Sequence, residues 1–135
     1  MPKSTYITKE EMAALFDECN HQYFGGVLKK CRYSLFKSEN QYARYTNHLT
    51  QKGLEGHIWF SYSHEWDFNL FKSFMIHEMI HHYVRTIENS NGGIFRHNWR
   101  FRRQCRRLKR EYGIIVPRYL KKIPQNFEEP LKEIV

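Results

Sequence analysis

"FMIHEMIHHYV", residues 74–84, places three histidines and one glutamate within six positions of an otherwise apolar run. How those four polar residues are read decides the rest of the chain. On a helix, positions four apart lie one above the other, so His77 and His81 present two imidazoles on a single face. Two neutral imidazoles so placed suit Zn²⁺, which takes nitrogen ligands at about 2.0–2.1 Å. Glu78 lies about 100° around the helix. From there it reaches a water held by the metal rather than the metal itself, which is the place of a general base in metal-assisted hydrolysis. The competing reading is a buried helix whose histidines only hydrogen-bond to their neighbours.

The periodicity around the motif supports a helix over about Asn69 to Glu88. Leu70, Phe74, His77, His81 and Val84 form one line, and Ile76, Ile80, Tyr83 and Ile87 form another. A helix apolar on two sides belongs at the centre of its fold. Glu78, His82 and Arg85 make a third, more polar line, expected to be a cleft wall. His82, four residues after Glu78, either orients that carboxylate or touches substrate, or else is an ordinary surface histidine.

A catalytic zinc normally has three protein ligands and one open position. A third histidine six residues after His81 is excluded, because Ile87 stands there and Val84 replaces the glycine such a turn needs. Glu88 and Glu111 remain candidates, but His97 fits better. A helix from about Phe95 or His97 to Tyr112 has an apolar stripe at Phe101, Cys105, Leu108 and Tyr112, and one turn before Phe101 is His97. The "NSNGG" turn at 89–93 would fold that face back on the histidine helix.

Outward from this pair the elements are simpler. Thr8 and Glu11 make a capping box ahead of Met12, Leu15/Phe16, Cys19 and Tyr23, predicting a first helix from about Lys9 to Tyr23 that stops at Gly25-Gly26. "CRYSLFK" (31–37), "YARYTNHL" (42–49) and "GHIWFSYS" (56–63) have strand composition and are separated by turn residues. They predict a three-stranded antiparallel meander, with the strand at 56–63 positioned to pair with an extended substrate by β-addition. The expected class is α+β in one domain over 1–135, with a core at about 8–112 and a tail at 113–135 that Pro117, Pro124 and Pro130 break into irregular pieces or short strands.

The chain has 135 residues, 41% of them apolar and 16% aromatic, enough for one packed interior. No apolar run approaches bilayer-spanning length, and the start lacks a secretory h-region. Cys19, Cys31 and Cys105 are odd in number and far apart, which argues against a disulfide framework and for an intracellular setting. The formal charge is +8, and residues 96–110 hold eight Arg/Lys and no acid. Arg100, Arg102, Arg103, Arg106, Arg107 and Arg110 either meet a polyanion, nucleic acid first, or form a solvated helix face.

These residues together resemble the SprT-like zinc metallopeptidase domain, which is also found in the Spartan protease. "LFDECNHQYFGGVL" (15–28) is similar to that family's opening helix and its ending. "HEMIH" (77–81) is similar to its metal helix, and "HNWRF" (97–101) to its third-ligand segment. The resemblance covers roughly residues 8–112. It implies a zincin-like fold with His77, His81 and His97 on one Zn²⁺ and Glu78 as catalytic base. It also implies peptide-bond hydrolysis in the cytoplasm or nucleoid, on protein substrates attached to DNA. Two differences stand out: Asn98 follows the third histidine where the family usually has glycine, and residues 113–135 carry no cysteine for the four-cysteine zinc ribbon of many members. DNA contact would then fall to the arginine-rich third helix.

Overall fold

The computed structural model describes residues 7–90 and 97–116. Their order is α1 (Lys9–Tyr23), β1 (Arg32–Phe36), β2 (Ala43–Thr50), β3 (Gly53–Ser61), α2 (Phe68–Thr86) and α3 (Trp99–Tyr112). This is an α+β arrangement of three helices and a three-stranded sheet.

The first helix begins where its capping box predicts. Thr8 Oγ accepts from the Glu11 amide at 3.1 Å, and Glu11 Oε1 accepts from the Thr8 amide at 3.0 Å, so two helix-end amides are satisfied reciprocally. Its buried face is the expected Met12, Leu15, Phe16, Cys19 and Tyr23. Beyond it, the Asn20 side chain brackets Leu28, donating to its carbonyl at 2.9 Å and accepting from its amide at 3.1 Å.

The sheet differs from the antiparallel meander. Its order is β1-β3-β2, with β2 antiparallel to β3 and β1 parallel to β3. A two-residue turn, Gln51-Lys52, joins β2 to β3, and that connection forces antiparallel pairing. β3 is therefore the central strand and receives β1 on its far side, through a link over residues 37–42 that passes β3 by. Strand composition states that a segment is extended; it says nothing about which neighbour completes its ladder.

Ile58 and Phe60 of β3 and Tyr45 of β2 turn toward the helices and are buried. Against this face lies α2, started by Asp67, whose side chain accepts from the Leu70 amide at 2.8 Å. Helix α2 touches β2 and β3 on one side and α1 and α3 on others, while α1 also packs on β1. That enclosure explains why α2 has apolar residues around most of its circumference. Ile87, placed in a buried line by periodicity, is instead exposed just past the helix end. The predicted tail pieces at 117–135 and the Phe95 start of helix three lie outside the described residues.

Candidate metal centre

Two turns of α2 supply His77 and His81, one above the other, with ring centroids 5.0 Å apart. His97 faces them from the other side of the α2–α3 junction, 4.9 Å from His77 and 5.1 Å from His81. The three rings thus form a nearly equilateral triangle. Each offers one nitrogen to a common region, all within 4.8 Å of one another. The Nε2 atoms of His77 and His97 are 3.2 Å apart. Two ligands at about 2.0–2.1 Å from a tetrahedral ion would be separated by about 3.3 Å. The three nitrogens therefore lie close enough to hold one metal ion.

Local chemistry explains where His97 sits. The Asn98 side chain accepts from the amides of Arg100 at 3.0 Å and Phe101 at 3.2 Å, making it the N-cap of α3. His97 consequently precedes the helix rather than opening its inward stripe. The N-cap residue has extended backbone, which sends the chain before it in a new direction and turns His97 toward α2. Arg102 holds the same residue by donating from Nη1 to the His97 carbonyl at 3.1 Å. Asparagine after the third histidine thus has a structural task.

Phe101 closes the floor of the site. Fully buried, it lies 4.9 Å from His77, 4.7 Å from His81 and 4.6 Å from His97, ring centre to ring centre. On the other flank the Tyr45 ring runs parallel to His81 at 6.4 Å. The stripe on helix three marked Phe101 as core, but nothing in its spacing tied it to all three imidazoles. Tyr45 carried only the alternation of a strand.

Glu78 is 4% exposed and His82 only 1%, so two of the three residues on the third line of α2 are buried and form no open cleft wall. His82 is neither a surface histidine nor aimed at the metal site. Its Nε2 meets the Lys29 carbonyl at 2.9 Å and its Nδ1 meets the Tyr45 hydroxyl at 2.7 Å. A carbonyl can only accept, so Nε2 carries the proton. Burial pushes the His82 pKa below the ordinary histidine value, with the Lys29 bond working the other way. The neutral ring therefore accepts from Tyr45 at Nδ1, and burial holds the Tyr45 phenol protonated. Gly56 leaves the room for this pair: a Cβ there would lie 2.6 Å from His82 Nδ1.

The candidate third ligands Glu88 and Glu111 are engaged elsewhere. Glu88 Oε1 accepts from Arg100 at 3.0 Å and Arg103 at 2.9 Å. Glu111 pairs with Arg107 at 3.7 Å and Arg110 at 3.5 Å, at the far end of α3.

The six arginines are divided in the same way. Arg100 and Arg103 grip Glu88, and Arg102 binds the His97 carbonyl. Arg107 donates to Gln104 at 2.8 Å and to the Tyr23 carbonyl at 2.9 Å. Only part of the basic stretch faces outward: Trp99, Arg103, Arg106 and Arg110 share one exposed line on α3. No protein-family model matches the chain, and no curated protein matches it. Among the described residues, no helix is long and apolar enough to cross a membrane.

Proposed function

We propose that the chain is a zinc-dependent endopeptidase of the SprT-like, zincin-like kind, one domain over 1–135, working inside the cell. The observation that carries this reading is the convergence of His77, His81 and His97, at a spacing suited to one tetrahedral ion, directly beside a buried glutamate at position 78. A bound zinc ion would supply Lewis acidity toward a water and toward a scissile carbonyl. Glu78 would take the proton from the attacking water and pass it to the departing amine. The apolar surround, with Phe101 beneath and Phe74 6.1 Å from His77, keeps bulk water from competing.

An extended substrate cannot pair with β3, since β1 and β2 occupy both of its edges. The available edge beside the histidines is β2. The Ser61 amide bonds the Tyr42 carbonyl at 2.9 Å, so in the β2–β3 register the even-numbered residues of β2 bond to β3. The backbone groups of Ala43, Tyr45, Asn47 and Leu49 then face away from β3, where no strand among the described residues pairs with them. Substrate would add there as a fourth strand.

A second reading gives nucleic acid a part, either as the carrier of DNA-associated substrates or as the ligand of a module whose zinc is non-catalytic. The exposed Arg106 and Arg110 favour it, since outward guanidiniums on one line of α3 suit a phosphate backbone. The test of the main reading is Glu78→Gln beside His97→Ala. Glu78→Gln should keep stoichiometric zinc and lose cleavage of a protein substrate; His97→Ala should lose tight zinc. Parental cleavage by zinc-loaded Glu78→Gln would refute the mechanism.

A further inference from the structure

Glu88 is bound more closely than a surface carboxylate needs to be. Its side chain is 9% exposed, yet it receives two guanidiniums on one oxygen, with Gln104 Nε2 3.4 Å from the other. Both guanidiniums also lie over the Trp99 ring, Arg100 at 4.5 Å and Arg103 at 4.9 Å. An exposed ion pair contributes little because solvent screens it. A buried carboxylate shared by three donors is different, because removing its charge leaves the guanidiniums without the anion that orders them.

The partners of this contact matter as much as its strength. Glu88 follows the last turn of α2, where its amide bonds the Tyr83 carbonyl at 3.2 Å. Arg100 and Arg103 stand on the first two turns of α3, three and six residues after His97. The contact thus ties the end of the helix that carries two imidazoles to the start of the helix that follows the third. It does so independently of the backbone route between Glu88 and His97.

We infer that Glu88 is a positioning residue for the metal centre, and that through Arg100 and Arg103 it holds His97 at chelating distance from His77 and His81. The inference rests on the metal-site reading above. It assigns to Glu88 the opposite of a ligand's role: its charge is spent on arginine so that a histidine can serve the metal. Outer contacts that orient ligands typically contribute about 10–100-fold in metal affinity, and that is the loss expected here.

The experiment measures Zn²⁺ affinity of the full chain by chelator competition, together with the visible absorption of the Co²⁺-substituted protein. Glu88→Gln should bind Zn²⁺ about 10–100-fold more weakly, with Co²⁺ bands weakened toward those of His97→Ala. Glu111→Gln breaks an ion pair on the same helix that does not reach α2, and it should bind as the parent does. If Glu88→Gln fails to fold, Arg103→Gln answers the question, since it keeps the Arg100 contact and should give a smaller loss of the same kind. Affinity within threefold of the parent in the folded variant, or an equal loss in Glu111→Gln, overturns the inference while leaving the metal site intact. A parent chain that binds no Zn²⁺ tightly overturns the metal reading itself, and the inference with it.

Discussion

Gly56→Ala offers a demanding check on the packing behind the metal helix. The added methyl would stand 2.6 Å from His82 Nδ1, 2.8 Å from its Cε1 and 2.8 Å from the Tyr45 hydroxyl oxygen. Ordinary contact distances are about 3.5–4.0 Å, so these atoms must retreat by roughly 0.8 Å or more. Neither can do so freely. His82 is tethered on its other nitrogen to Lys29 at 2.9 Å, and the Tyr45–His82 bond is already short at 2.7 Å. Either the strain is kept, at about 1–3 kcal/mol, or the bond breaks and leaves buried polar atoms unpaired, at about 1–3 kcal/mol. The cheaper route or a blend of the two predicts a loss of about 1–3 kcal/mol, or a Tm lower by roughly 3–12 °C for a chain of this size. Urea unfolding of metal-free protein, followed by circular dichroism, reads the free energy directly. Tyr45→Phe alone should cost about 1–3 kcal/mol. Added to Gly56→Ala it should cost less than the sum, because it deletes one of the atoms the methyl meets. A Gly56→Ala protein within about 0.5 kcal/mol of the parent, or strictly additive variants, would refute this account of Gly56.

Three further outcomes follow from particular contacts. Phe101→Ala removes the ring shared by three imidazoles and should cost about 3–5 kcal/mol, with a matching drop in zinc affinity; unfolding curves and chelator competition check the two parts. Burial pushes the Cys19 thiol up to about 12 and raises that of Cys31 as well, whereas Cys105 is half-buried. Alkylation at pH 8 should therefore modify Cys105 first and the other two only on unfolding, a pattern that peptide mass mapping would reveal. If α3 holds duplex DNA along its exposed line, Arg106→Gln should reduce the slope of log affinity against log salt by about 0.9 with Tm unchanged. Arg100→Gln should instead lower Tm, because that guanidinium belongs to Glu88.

Local signals in the sequence were read most accurately where the physics is itself local. The capping box at Thr8 and Glu11 placed the start of α1, and the four-residue spacing of His77 and His81 put both imidazoles on one face. His97 was reachable through the stripe on helix three, although Asn98 caps that helix and leaves His97 ahead of it. The antiparallel pairing of β2 with β3 was legible from the turn between them, but the place of β1 was not. β1 joins β3 in parallel through a connection that skips its neighbour, and no composition rule encodes that choice. His82 was misread for a related reason. Its polarity suggested solvent, but two partners distant in sequence, Lys29 and Tyr45, satisfy it in the interior. The basic stretch suggested a polyanion contact or a solvated helix face, but not that Arg100 and Arg103 bond a glutamate at the end of α2.

The side of β2 that no described strand pairs with has a meaning apart from any substrate. Four residues with outward-facing backbone groups make a template that a second copy of the same chain could extend, the first step toward aggregation. Side chains on this strand work against that outcome. In an antiparallel self-pairing centred on Thr46, Arg44 of one copy would meet His48 of the other, and Arg44 already folds over Phe36 at 4.6 Å. Charged side chains on an edge strand discourage such pairing, and Arg44 supplies one on β2. The outer strand of the described sheet thus carries its own discouragement against copies of its own kind.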